Sequence, residues 1–111
     1  MISRRPSIFI YVNQPDPEFL KQILAGIEEE GISSEVFDRE ETDTGLLAFE
    51  AARDSMMGSG IGICGVDIAM QMRGRKRGDN VQQYHMPTYE ECRITGTNSA
   101  RVIKKLSLKE R

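Results

Sequence analysis

The chain has 111 residues, 39% of them hydrophobic and 29% charged, a balance that fits one globular domain rather than a disordered or fibrous chain. Fifteen Lys and Arg stand against seventeen Asp and Glu, a formal net charge of −2, which argues against a dedicated nucleic-acid binder because such domains tend to be basic. The longest apolar run falls far short of the ~20 residues of a membrane span, and only a short strand-like stretch comes after the opening arginines, unlike a secretory leader. The expectation is one soluble cytoplasmic domain over residues 1–111, with 1–6 flexible.

Ser7 to Val12 reads as a strand, β-branched and aromatic, ended by Asn13. A helix start comes next, with Asp16 as N-cap, Pro17 as the first helical residue and Glu18 suited to the positive end of the dipole. Phe19, Leu20, Ile23, Leu24 and Ile27 form its apolar stripe, and Gly31 closes it as a left-handed cap. Ile32 to Phe37 predicts a second strand, and Asp43 or Thr44 caps a second helix reaching about Arg53. Ile61 to Cys64 and Val66 to Met72 form an antiparallel hairpin turning on Gly65, its second arm alternating like a half-buried strand. Arg73 to Asn80 is a glycine-punctuated basic loop, and Val81 to Tyr84 a short further strand. Thr88 and Glu91 make a capping box that opens a last helix to about Lys105, with Gly96 a weak point inside it. Strands alternating with helices predict an α/β fold whose sheet is mostly parallel, with the hairpin added at one side.

Few residues suggest chemistry of their own. Cys64 and Cys92 are isolated, and with His85 the sole histidine they leave a zinc site one ligand short. Neither cysteine stands in an activating context, so a small thiol enzyme is the weakest of the readings. Gly60 to Gly65 fits G-x-G-x-x-G, but Val66 to Met72 alternate like a strand where a dinucleotide site needs a helix. Close strand packing and a tight turn explain these glycines better. Arg73, Arg75, Lys76 and Arg77 form a basic cluster with no interleaved aromatic residue, a solvated loop or a contact for a polyanion or acidic protein. Glu28, Glu29 and Glu30 crowd the negative end of the first helix, where each is disfavoured by a few tenths to ~1 kcal/mol. Either solvent accounts for them or something cationic offsets the cost. A hard divalent ion such as Mg²⁺ would fit, with further ligands from another chain.

Three blocks resemble the small (beta) subunit of diol/glycerol dehydratase reactivase: Gly26 to Ile32, Ala51 to Ser55 leading into Gly60 to Ile63, and Arg93 to Lys104. The likeness runs in register from about Ile8 to the C-terminus. It implies a three-layer α/β/α fold like that of anticodon-binding domains, similar to the dehydratase's own medium subunit. It also implies a non-catalytic subunit that binds an ATP-hydrolysing large subunit in an assembly with two of each. That assembly exchanges with the medium subunit of an adenosylcobalamin-dependent dehydratase and so releases damaged cobalamin. The middle glutamate of the triplet, here Glu29, would be a ligand to Mg²⁺ shared with the large subunit, and ATP would enter only through that subunit. The implied setting is the cytoplasm or a bacterial microcompartment within it, with no membrane partner. The basic loop is richer in cations than the family leads one to expect, and a small nucleic-acid-binding module using Arg73 to Arg77 is the alternative.

Overall fold

The computed structural model describes residues 6–104. Its elements run β1 (Ile8–Asn13), α1 (Pro17–Glu29), β2 (Ser34–Asp38), α2 (Thr44–Asp54), β3 (Ser59–Cys64), β4 (Asp67–Met72), β5 (Gln82–His85) and α3 (Tyr89–Arg101). The expected flexible segment at 1–6 falls, apart from Pro6, outside the described residues, as does the expected helical end at Lys105.

The five strands form one sheet in the order β2-β1-β3-β4-β5. β1 pairs in parallel with β2 and β3, whereas β3 with β4 and β4 with β5 are antiparallel. The chain steps from β1 to β2 on one side, then back across β1 to β3. Right-handed crossovers in opposite directions put their helices on opposite faces. α1 accordingly covers the face of Ile8, Ile10, Ile61, Ile63, Ile68 and Met70, and α2 packs on Tyr11 and its neighbours behind it. α3 joins α1, completing the three layers expected. Among the described residues no helix is long and apolar enough to cross a membrane.

The caps are as read. Asp16 accepts from the backbone N–H groups of Glu18 and Phe19, Asp43 from Leu46, and Thr88 and Glu91 close a reciprocal capping box. Gly31 at φ 73° reverses the chain after α1, and Gly65 at φ 57° turns the β3–β4 hairpin. Strand β2 starts two residues later than expected, at Ser34, and α3 ends at Arg101.

Two expectations change. β4 is not half-buried: Ile68, Ala69, Met70 and Gln71 are all fully covered, because helices lie on both faces of the sheet where the hairpin joins it. Gly96 is not a weak point but a contact. A Cβ there would lie 2.0 Å from the Ile23 carbonyl oxygen, and one on Gly26 would lie 2.2 Å from that of Arg93. The two helices therefore touch backbone to backbone. Gly60 and Gly62 do the same for α2, where added Cβ atoms would stand 2.2 Å from Ala52 N and 2.5 Å from Ala48 N. These glycines of the G-x-G-x-x-G stretch serve close packing.

Alanine normally raises helix stability over glycine by about 1 kcal/mol. Gly96→Ala should do the opposite, lowering stability by about 3 kcal/mol through overpacking. Urea unfolding of the variant beside the parent checks the sign.

Candidate functional site

The glutamate triplet sits where α1 ends against α3. The contacts Arg93–Gln22, Thr97–Gly26 and Arg101–Glu30 each join residues 71 apart in sequence, so the two helices run parallel. Parallel helices bring their negative ends together, which sharpens the cost of carboxylates there. Cations on and just beyond α3 supply the offset. Arg101 Nη1 donates to Glu30 Oε2 at 3.5 Å, and Lys104 Nζ donates to Glu30 Oε1 at 3.0 Å and to the Glu30 carbonyl at 2.9 Å. The Lys104 hydrogen bond is the main reason the Glu30 carboxyl titrates below the usual range, opposed by its partial burial and helped by the charges of Lys104 and Arg101.

Glu29 is held more loosely. Arg93 Nη1 donates to its Oε2 at 3.2 Å, while the rest of the same guanidinium grips Gln22 Oε1 at 2.9 and 3.2 Å. The Glu29 side chain keeps 59% of its surface exposed, against 14% for Glu30. Glu28 is exposed and has no ion pair among the described residues. The triplet thus separates into a solvated Glu28, a presented Glu29 and a locked Glu30. A divalent cation suits the presented carboxylate, whose Oε1 makes no hydrogen bond among the described residues. The described residues complete no shell by themselves, since no group of three or more His, Cys, Asp or Glu among them is gathered to hold a metal. Among the described residues, the end of α1 therefore offers a hard cation one open carboxylate oxygen, that of Glu29.

The remaining candidates separate by their surroundings. Burial pushes the Cys92 thiol up to about 12, with Asp16 and Glu91 adding to it, which removes it as a nucleophile near neutral pH. Cys64 is half-buried on β3, and His85 Nδ1 is hydrogen-bonded to Asp67 Oδ1. In the basic loop, Arg75 is paired with Asp79 and Arg77 with Asp43, both at 3.1 Å, and Arg73 donates to the carbonyls of Arg53 and Ser55 at the end of α2. Three of its four cations are engaged within the chain, which lowers the charge on offer to a polyanion.

The model of the family described as "Dehydratase medium subunit" matches residues 5–109. The chain belongs to the dehydratase medium-subunit family. A solved glycerol dehydratase reactivase superposes with a TM-score of 0.90 at 22% identity, covering 96% of this chain and 98% of that one. A diol dehydratase-reactivating factor complexed with ADP and Mg²⁺ gives 0.89 at 24% identity, covering 96% and 100%. No curated protein sequence matches. The three sequence blocks therefore led to the right family, and the fold of this medium-subunit relative is the fold of the reactivase chains.

The sequence singles out Glu29 within the triplet through the family resemblance, but not Arg93, Arg101 and Lys104 as the triplet's partners. A signal was available: Arg93 and Arg101 stand roughly 12 Å apart along α3, two turns, matching the eight-residue step from Gln22 to Glu30 on α1.

Because the Glu30 carboxyl is held below its unfolded value, its contribution to stability is present above the unfolded carboxylate range and lost as pH falls through the folded pKa. Glu30→Gln should therefore melt below the parent at pH 7, and the gap should close as the pH falls through the carboxylate range. Paired thermal melts measure it, and the other carboxylates cancel between parent and variant.

Proposed function

We propose that this chain is the small, non-catalytic subunit of an ATP-dependent, chaperone-like reactivase serving an adenosylcobalamin-dependent diol or glycerol dehydratase. One observation carries the reading: a domain of the dehydratase medium-subunit family, matched over residues 5–109, has over nearly its whole length the fold of reactivase chains. A subunit of that kind can occupy the medium subunit's place. In so doing it would open the dehydratase for damaged cobalamin to leave and intact cofactor to enter. ATP hydrolysis belongs to a large subunit, two of each chain forming the assembly, in the cytoplasm or a bacterial microcompartment within it.

In this reading Glu29 contributes one carboxylate oxygen to an Mg²⁺ held mainly by the large subunit. When bound, the ion supplies a hard positive centre that ties carboxylates of two chains together. This chain's own residues do the positioning. α3 fixes the end of α1 through Lys104 and Arg101 on Glu30, and Arg93, itself anchored on Gln22, steadies one Glu29 oxygen. The exposure of Glu29 beside a locked neighbour supports a role at a joint.

Co-expression with a reactivase large subunit, followed by size-exclusion chromatography in magnesium, should yield one complex, and separate elution would count against the reading as a whole. Glu29→Gln should keep the fold and weaken magnesium-dependent assembly at least about tenfold. Arg93→Gln removes the ion pair but keeps the ligand, so magnesium dependence should survive in it. A Glu29→Gln subunit that assembles and reactivates like the parent would make the metal role wrong.

A further inference from the structure

A second surface lies on the other face of the sheet from Glu29. Between the C-terminal half of α2 and the loop from β4 to β5 is a cavity of about 440 Å³, within the range of pockets that hold small ligands or short segments. Phe49 and Met72 supply its apolar part, and Arg53, Arg73, Arg75, Lys76 and Arg77 its charged part. No acidic residue lines it.

The loop that walls this cavity is built. Gln71 is fully buried, and its Nε2 donates at 3.2 Å to both the Lys76 carbonyl and Asn80 Oδ1. Arg75 Nε donates to the Asp79 carbonyl at 2.8 Å, and Arg73 caps the end of α2 through the carbonyls of Arg53 and Ser55. Gly58 leaves room for it, since a Cβ there would lie 3.3 Å from Arg73 Cβ. An occupant therefore meets a surface already ordered, and little entropy is lost in shaping it.

We propose that this cavity docks an acidic segment of a partner protein that carries an apolar side chain as its anchor. The chain itself demonstrates the chemistry at the rim, where Asp54, Asp79 and Asp43 each hold one of the arginines at 2.9 to 3.1 Å. Those carboxylates balance three of the five cations; of the other two, Arg73 is turned onto the carbonyls of Arg53 and Ser55, which leaves Lys76, exposed and without an ion pair among the described residues, as the first contact for an incoming acid. An excess this small suits one or two carboxylates and gives little counterion release to a nucleic acid. Phe49 and Met72 then take the anchor, the desolvated centre that gives such contacts most of their energy.

The test uses the full chain with a short fluorescein-labelled peptide alternating glutamate and leucine, read by fluorescence anisotropy without magnesium or a large subunit. Its failure therefore leaves the reactivase reading untouched. The parent should bind the peptide, and Lys76→Glu should weaken binding about tenfold or more through like-charge contact. Phe49→Ser, checked for folding by circular dichroism, should weaken it as well. The proposal is overturned if the parent does not bind or if Lys76→Glu binds equally. Equal binding of a peptide with serine for leucine, or tighter binding of a single-stranded oligonucleotide of the same charge, overturns it too.

Discussion

Gly26 and Gly96 let the backbones of α1 and α3 come into contact, with no room on either glycine for even a methyl group. Much of the acidic end of the molecule depends on that approach. It fixes a constant register between parallel helices, so Gln22, Gly26 and Glu30 meet Arg93, Thr97 and Arg101 in turn. A larger residue at either glycine would push the helices apart and lengthen every charged contact beyond them. The cost of carrying carboxylates at a helix C-terminus is offset from the neighbouring helix.

The same device works on the other face. Gly60 and Gly62 admit the backbone of α2 around Ala48, Ala51 and Ala52, and Ser55 ties the end of α2 to the carbonyl of Ser7 at 2.6 Å. Ser59 Oγ reaches the Ser99 carbonyl at 2.8 Å and joins β3 to α3. Each of the three blocks that carry the family likeness contributes residues to these contact surfaces. Gly26 is in the first, Ala51, Ala52, Ser55, Gly60 and Gly62 in the second, Gly96 and Ser99 in the third.

The two charged surfaces lie at one end of the sheet, on opposite faces, and differ in sign. The end of α1 presents one loosely held carboxylate, Glu29, beside one tightly held, Glu30. The loop after β4, beside the end of α2, presents cations over an apolar floor. Both surfaces are assembled by buried or half-buried anchors, Arg93 on Gln22 in the first and Gln71 on the loop backbone in the second. The sheet between them holds the two surfaces at a fixed separation on its opposite faces.

The elements, their caps, the α/β class and the hairpin are all legible in the order of residues. Asp16, Pro17, Gly31, Asp43, Thr88, Glu91 and Gly65 act through neighbours within a few residues, and local chemistry can be read locally. Glu29 stands out in the same way, through the anomaly of three acids at a helix end and the family likeness. Packing was needed to show that Gly96 is a contact rather than a flaw and that β4 is covered on both faces. Packing also separated Glu29 from Glu30, by bringing cations to Glu30 from more than 70 residues away in the chain. Close backbone approach and ion pairing depend on which surfaces meet, and no residue states that until the layers are packed.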